Sequence, residues 1–442
     1  MNQLIKNTGW TCLAAAMTSA SATAQCNQWL GVPGMSGGVN TAVLALTRWD
    51  PDGPGPLATV LVAGGEFTMA GATPANNIAA WDGTVWAPLG IGIVGEVSAL
   101  AVLPDGHLIA AGTFTHAGGV PCSNIAQWDG ASWSPLGTGT DNTIWALTVD
   151  ATGTLYAGGM FITAGGFPCN RIAKWDGSGW SSLGIGTQNG VGGIAYCLTP
   201  VPGGGVVVGG SFVTAGGVAN RRRVAKWDGT AWSTMGAGMN ATVLSLGTLQ
   251  NGDIVAGGQF TFAGAVSAAH VARWDGVAWN AMGAGLNAQP LCFARLESGE
   301  LIAGGHFWYA GATPASKVAM WAGEAWMPMG AGMDQYVMAL AVDPSDTIFA
   351  GGGFSLADNQ PVQFLAEYRT TVCGQACDTI DFNADGLFPD TADIDDFLSV
   401  FSGGPCSNDP NCGDIDFNND GLFPDTTDVD SLLSVFSGGP CL

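Results

Sequence analysis

Residues 97–137 read VSALAVLPDGHLIAAGTFTHAGGVPCSNIAQWDGASWSPLG. The apolar run 97–103 stops at Pro104-Asp105-Gly106, and a second run, 107–114, leads into a glycine-rich loop. A third, 124–128, ends at Asp129-Gly130, and a fourth, 133–136, follows at once. Asp-Gly is a strong hairpin signal because type I′ turns need positive φ at both central residues. Short apolar runs separated by turn residues predict four β-strands within this one stretch.

The stretch is one copy of a repeat. Gly-Gly-x-Phe or a close variant starts at Gly64, Ala111, Gly158, Gly209, Gly257, Gly304 and Gly351, at spacings of 47, 47, 51, 48, 47 and 47. Ala-x-Trp-Asp-Gly places a Trp at 81, 128, 175, 227 and 274, with Trp321 and Tyr368 as variants. Trp-x-x-Leu/Met-Gly starts at Trp86, Trp133, Trp180, Trp232, Trp279 and Trp326. Four strands per unit of this period mark a β-propeller blade. First, second and third strands occur seven times, but the Trp-led fourth strand follows only six of them. Gln28-Trp29-Leu30-Gly31 supplies the seventh. The expectation is a mainly β chain. It forms a seven-bladed β-propeller over 25–372, whose N-terminal strand completes the last blade and so removes the exposed sheet edges.

Composition agrees. Gly is 69 of 442 residues, about twice the usual share of roughly 7%. Charged residues are only 11%, which suits short strands and tight turns rather than long charged helices. With 47% hydrophobic residues and 17 Trp the chain is not disordered. A net charge of −23 argues against nucleic acid, since phosphate binding needs a cationic footprint. Residues 1–24 read as a signal peptide. Lys6 is the only charge before Arg48, residues 10–24 are apolar or small, and Ala22-Thr23-Ala24 fits a cleavage site. A buried N-terminal segment is the alternative. No lipid-anchor motif precedes Cys26. No later run is long and apolar enough to span a membrane, so a secreted, soluble, monomeric protein is expected. Ten cysteines would remain after cleavage, an even number that suits disulfides in an exported chain.

The double glycine ending the second strand, the aromatic on the third and the Trp opening the fourth resemble kelch-type repeats, with Trp where kelch repeats usually carry Tyr. The resemblance implies binding of a ligand or partner, and only occasionally catalysis. If the strands of Trp29 and Tyr368 are neighbours, Cys26 and Cys373 meet near the open end of that pair, where a disulfide would staple the ring. Pairing of Cys373 within the tail is the alternative.

The composition changes after residue 372: 373–442 holds 14 Asp and no Glu, Lys or Arg. Two segments repeat at a period of 35, Asp381-Phe-Asn383-Ala-Asp385-Gly386-Leu387 and Asp416-Phe-Asn418-Asn-Asp420-Gly421-Leu422. Asp-x-Asn-x-Asp-Gly opens an EF-hand loop, in which alternate residues converge hard oxygens on calcium. Leu387 and Leu422 would offer carbonyls, and Asp393 and Asp428 would close the two shells. An apolar helical pattern follows each loop: Ile394, Phe397, Leu398, Phe401, then Val429, Leu432, Leu433, Phe436. This tail, a small α-helical EF-hand-like module over 373–442, resembles a dockerin. Its Phe-Ser-Gly-Gly-Pro-Cys endings are similar to the cysteine-containing, planctomycete-type (GC-type) variant. One residue is inserted in each loop relative to the standard dockerin pattern. The resemblance implies two calcium sites and docking onto a cohesin-type partner. Cys377, Cys406, Cys412 and Cys441 also repeat at 35. One bond per repeat, Cys377–Cys406 and Cys412–Cys441, is the simplest arrangement, and a crossed pattern satisfies the count equally.

On the propeller, the aromatics off the repeat are Trp145, Tyr196, Trp308, Tyr309 and Tyr336. Trp308-Tyr309 stands just after a double glycine, where it could stack on a sugar; a locally filled loop is the plainer reading. Basic residues gather at the start of the third strand, Arg171, Arg222, Arg223 and Lys317 among them, with His270 in the same register and His306 nearby. This arc could take a carboxylate or sulfate, or be ordinary solvated surface. No nucleophile elbow or zinc-ligand spacing appears. Three functions are therefore weighed. The first is a non-catalytic binding and display protein for a glycan or protein ligand. The second is a propeller lyase or glycosidase, and the third a structural scaffold. Acids converging with Tyr or His at the ring mouth would favour the enzyme; an aromatic and basic arc with no carboxylate pair would favour binding, and a featureless mouth the scaffold.

Overall fold

The structure, a computed structural model, describes residues 28–369 apart from 32–37, 54, 56–57 and 187–188. The signal-like segment, the calcium-loop residues and all six cysteines proposed for disulfides lie outside the described residues. No α-helix forms among the described residues.

In the first blade, strand a is Val43–Trp49, b is Val60–Gly65, c is Ile78–Trp81 and d is Trp86–Pro88, antiparallel in that order. Blades 2 to 6 repeat it over 93–135, 144–182, 195–234, 243–281 and 290–328. Blade 7 takes a, b and c from Val337–Val342, Thr347–Gly352 and Leu365–Arg369, and its d strand is Trp29–Leu30 from the other end of the chain. Trp29 pairs with Tyr368 and Leu30 with Glu367. The ring is thus the expected seven-bladed β-propeller, closed by its N-terminal strand. Phe349 and Leu365 of blade 7 share one core with Val43, Leu61 and Trp81 of blade 1.

Two repeated devices hold the ring. The Phe of each Gly-Gly-x-Phe is buried; Phe67, Phe161, Phe212, Phe260, Phe307 and Phe354 are completely so. Each such burial is worth about 1.5–3 kcal/mol. The d-strand Trp of blades 2 to 7 donates its indole N–H to a carbonyl of the preceding blade. Trp133 reaches Leu89 at 2.8 Å, Trp180 Leu136 at 2.9 Å, Trp232 Leu183 at 2.9 Å, Trp279 Met235 at 2.9 Å and Trp326 Met282 at 3.1 Å. Trp29 makes the same bond to Met329 at 3.0 Å, so the closing strand also locks blade 7 to blade 6.

The second glycine of each pair has a steric cause. A Cβ on Gly65, Gly159 or Gly258 would strike the carbonyl oxygen of Ala42, Thr143 or Thr242. That carbonyl belongs to the residue just before strand a of the same blade. The b strand therefore runs against the start of its a strand too closely for any side chain.

The Asp of each Asp-Gly turn is a cap. Asp82, Asp129, Asp176, Asp228 and Asp275 each accept backbone N–H bonds from the residues two and three positions on. These bonds stabilise the ionised form and lower all five carboxyls, Asp176 to about 2 chiefly through the Ser178 hydroxyl. A carboxyl depressed on folding contributes stability that is present above its unfolded value and lost as pH falls through its folded one. Thermal midpoints should therefore fall between about pH 4 and about pH 2, Asp176 titrating last. Asp176→Asn keeps the acceptor but cannot titrate, so it should flatten that part of the curve. An unchanged curve in the variant would show that the turn does not contribute.

Candidate functional site

Strand a of every blade carries a β-bulge near its start. The register slips between Val43 and Ala45, Val97 and Ala99, Ile144 and Ala146, Ala195 and Cys197, Val243 and Ser245, Pro290 and Cys292, and Val337 and Ala339. The skipped residues are Leu44, Ser98, Trp145, Tyr196, Leu244, Leu291 and Met338. A bulge re-aims the side chain it frees from the ladder. Strand a is the inner strand of each blade, so these seven side chains converge. With Glu66 and Glu96 they line one cavity of about 410 Å³ at the mouth of the ring. All seven are half-buried, as residues lining an open concavity should be.

A second circle of residues borders the mouth. The x residue of Gly-Gly-x-Phe donates its backbone N–H to the residue before strand a in its own blade: Met160 to Thr143 at 2.9 Å, Gln259 to Thr242 at 2.9 Å, His306 to Gln289 at 3.0 Å. Its side chain meets the residue before strand a of the next blade. Thr113 and Thr143 share a hydroxyl hydrogen bond of 2.8 Å, and the rings of His306 and Tyr336 lie 5.3 Å apart. Glu66 and Glu96 hold the same relation between blades 1 and 2. Burial raises the Glu96 carboxyl and the Glu66 charge raises it further, while the Ser98 hydroxyl pulls the other way. Burial and, after it, the nearby Lys317 charge lower His306, which favours its neutral form. The mouth is therefore acidic on the side of blades 1 and 2, aromatic at Trp145 and Tyr196, and aliphatic from Leu244 to Met338. Among the described residues that line it, none is basic. The Trp145 indole N–H is buried and has no acceptor among them.

The basic arc is brought together, but largely turned inward. Arg171, Arg223, His270 and Lys317 hold one register, the residue before strand c, where Asn77, Asn124 and Phe364 stand in other blades; all seven have φ between 61° and 69°. Arg171 Nη1 donates to the Met160 carbonyl at 3.0 Å, and His270 Nδ1 lies 2.9 Å from that of Gly258. Lys317 is only 5% exposed. Its Nζ donates to the His306 carbonyl at 3.1 Å and sits 3.3 Å from the centre of the Trp308 ring. Lys317 is thus a support for Trp308 rather than a free cation. Arg222 stays exposed and, with Arg223, borders a shallow cavity of about 370 Å³ in blade 4.

Trp308 and Tyr309 are about half exposed, at 49% and 47%. Both their backbone N–H groups are held by Asn287 Oδ1, at 2.8 and 2.9 Å. They lie on a b–c loop. Strand a begins and strand b ends at the mouth, so the b–c loops open on the same face as the cavity. On that face Ile162, Phe167, Val213 and Phe262 are exposed as well. A cavity of about 520 Å³ lies at the turns of the opposite face, between blades 5 and 6, and is lined mainly by turn residues with Arg273 and Glu300. It carries no convergent aromatic set.

Sequence reading singled out Trp145 and Tyr196 as aromatics off the repeat but did not place them together. It missed Glu66 and Glu96, which sit at different registers of their blades and meet only across a blade boundary.

A family described as "Domain of unknown function (DUF5122) beta-propeller" matches residues 103–127. No curated protein matches the chain. Among solved structures it is similar to the extracellular domain of a B. thetaiotaomicron protein described as a hybrid two component system, at 10% identity and a TM-score of 0.50. That match covers 81% of this chain, which spans only 42% of the bacterial one. The WD40 repeats of RRP9 align at 14% identity over 77% of this chain and 96% of theirs, with a TM-score of 0.49. The WD40 domain of Doa1 aligns at 11% over 77% and 95%, with a TM-score of 0.48. At 10% identity the likeness to the bacterial domain is one of fold alone, and the β-propeller rests on the family description and on the strands themselves.

Proposed function

We propose that the protein is a secreted, non-catalytic binding and display protein. Its propeller takes a glycan or protein ligand at the mouth, and its dockerin-like tail, folded by two calcium ions, docks on a cohesin-type partner. The convergence of seven re-aimed side chains, Trp145 and Tyr196 among them, into one cavity carries the binding half. Apolar and aromatic lining with a few placed polar groups is the usual constitution of a ligand site. The duplicated loops at Asp381–Asp393 and Asp416–Asp428 support the docking half.

Glu66 and Glu96 converge with Tyr196 at the mouth, which favours one second reading, a carbohydrate-active enzyme. Hydrolysis at a glycosidic bond uses two carboxyl groups that flank it. These two stand side by side on neighbouring blades, which suits joint charge recognition better than attack from opposite sides.

The test uses the full-length chain in calcium, probed on glycan and peptide arrays beside Trp145→Ala/Tyr196→Ala. A ligand held by the wild type and lost by the double variant supports the mouth; one held equally by both moves the site elsewhere. Cohesin capture should vanish with a chelator and with Asp381→Ala/Asp416→Ala. Capture that survives both would overturn the docking half.

A further inference from the structure

Resting on the mouth as the ligand site, we propose that the ligand is a protein that covers the b–c loop face and inserts a lysine or arginine side chain into the mouth. Charge argues first. Glu66, exposed, and Glu96, half-buried, place two acidic groups on one cavity, with no base among the described lining residues. Like charges kept this close gain most from one shared cation. The remaining lining matches the rest of such a side chain. Trp145 and Tyr196 offer ring faces to an ammonium or guanidinium group. Leu44, Leu244, Leu291 and Met338 match its methylene stem.

The surroundings distinguish a protein from a sugar. Ile162, Phe167, Val213, Phe262, Trp308 and Tyr309 stand on the b–c loops of the four successive blades 3 to 6, on the same face as the mouth, each exposed by 47% or more. A broad exposed apolar surface marks a protein-contact site. A saccharide small enough for the cavity would leave that surface uncovered. An anionic glycan would also meet the two glutamates unfavourably. The bases of this face lie at its edge. Arg171, His270 and Lys317 bond to carbonyls of their own blades, and Arg222 is exposed, where it suits an acid at the partner's rim. The pattern is therefore a negative, aromatic centre in an apolar field. An interface of this kind places its energetic anchor at the centre.

The test titrates the full-length protein with the capped tripeptide Ac-Ala-Arg-Ala-NH2 and its citrulline counterpart, which is isosteric and neutral. Tryptophan fluorescence and calorimetry give the readout. The arginine peptide should bind saturably, and the citrulline peptide at least about tenfold more weakly, the factor a single charge-assisted contact supplies. Glu66→Gln/Glu96→Gln, confirmed folded by its melting curve, should weaken the arginine peptide by a similar factor and leave the citrulline peptide unchanged. Equal affinity for the two peptides, or no saturable binding of the arginine peptide, overturns the inference. Neutral cellobiose bound by the wild type and lost by Trp145→Ala/Tyr196→Ala would leave the mouth as the ligand site and sink the cation. Arginine peptide bound equally by wild type and both double variants would sink the mouth reading too.

Discussion

Trp29→Ala will lower the stability of the folded chain by about 3–5 kcal/mol, the range for removing a fully buried aromatic. Three connections disappear together. The indole is completely buried, its N–H reaches the Met329 carbonyl of blade 6, and its ring lies 5.0 Å from that of Tyr368. The backbone N–H of Trp29 is also fixed, at 2.7 Å, to Asp358 Oδ2, whose other oxygen receives the Gly332 N–H at 2.9 Å. This side chain joins the two ends of the ring, so its loss also frees an edge of blade 7. Trp29→Phe keeps most of the apolar contact and removes the indole donor, so it should fall between the two. Denaturant unfolding of the three proteins measures the difference. A loss below about 1 kcal/mol in the alanine variant, the scale of an average substitution, would mean that the strand is not what closes the ring.

The closure was legible because it is a matter of counting. Six Trp-led fourth strands after seven third strands leave one vacancy, and Gln28-Trp29-Leu30-Gly31 is the one segment outside the repeat that resembles them. The pairing of Trp29 with Tyr368 follows. The mouth was not legible in the same way. A bulge inserts one residue into an otherwise regular ladder and leaves no mark in an apolar pattern. The residues it frees share no type: Leu44, Ser98, Trp145, Tyr196, Leu244, Leu291 and Met338 would never be aligned as a functional set by spacing. Lys317 shows the opposite limit. Its register with Arg171 and Arg223 was readable, but its burial depends on Trp308, a side chain that only this blade carries.

The second glycine of each pair lies against the start of strand a, where the bulge falls, so structure and site can be separated by one pair of substitutions in blade 3. A Cβ on Gly158 would meet Ala195 Cβ at 3.2 Å and Leu198 Cγ at 3.3 Å, tight contacts with side chains of blade 4. Blade 2 already carries Ala111 at this position, fully buried. Gly158→Ala should therefore be a mild change. A Cβ on Gly159 would instead strike the Thr143 carbonyl oxygen and press on the Ile144 Cα, and backbone cannot yield as a side chain can. Gly159→Ala should cost about 1–3 kcal/mol, the range for overpacking a close contact. The displaced atoms immediately precede Trp145 and belong in part to Thr143, whose hydroxyl bonds Thr113 of the neighbouring blade at the border of the mouth. The cost should therefore appear at the ligand site as well as in the melting curve. The arginine peptide should lose affinity in Gly159→Ala, with a changed near-ultraviolet signal from Trp145, and keep it in Gly158→Ala. If both variants bind equally well while only one is destabilised, the bulge holds the blade together without aiming the mouth. The seven converging side chains would then owe their positions to packing alone.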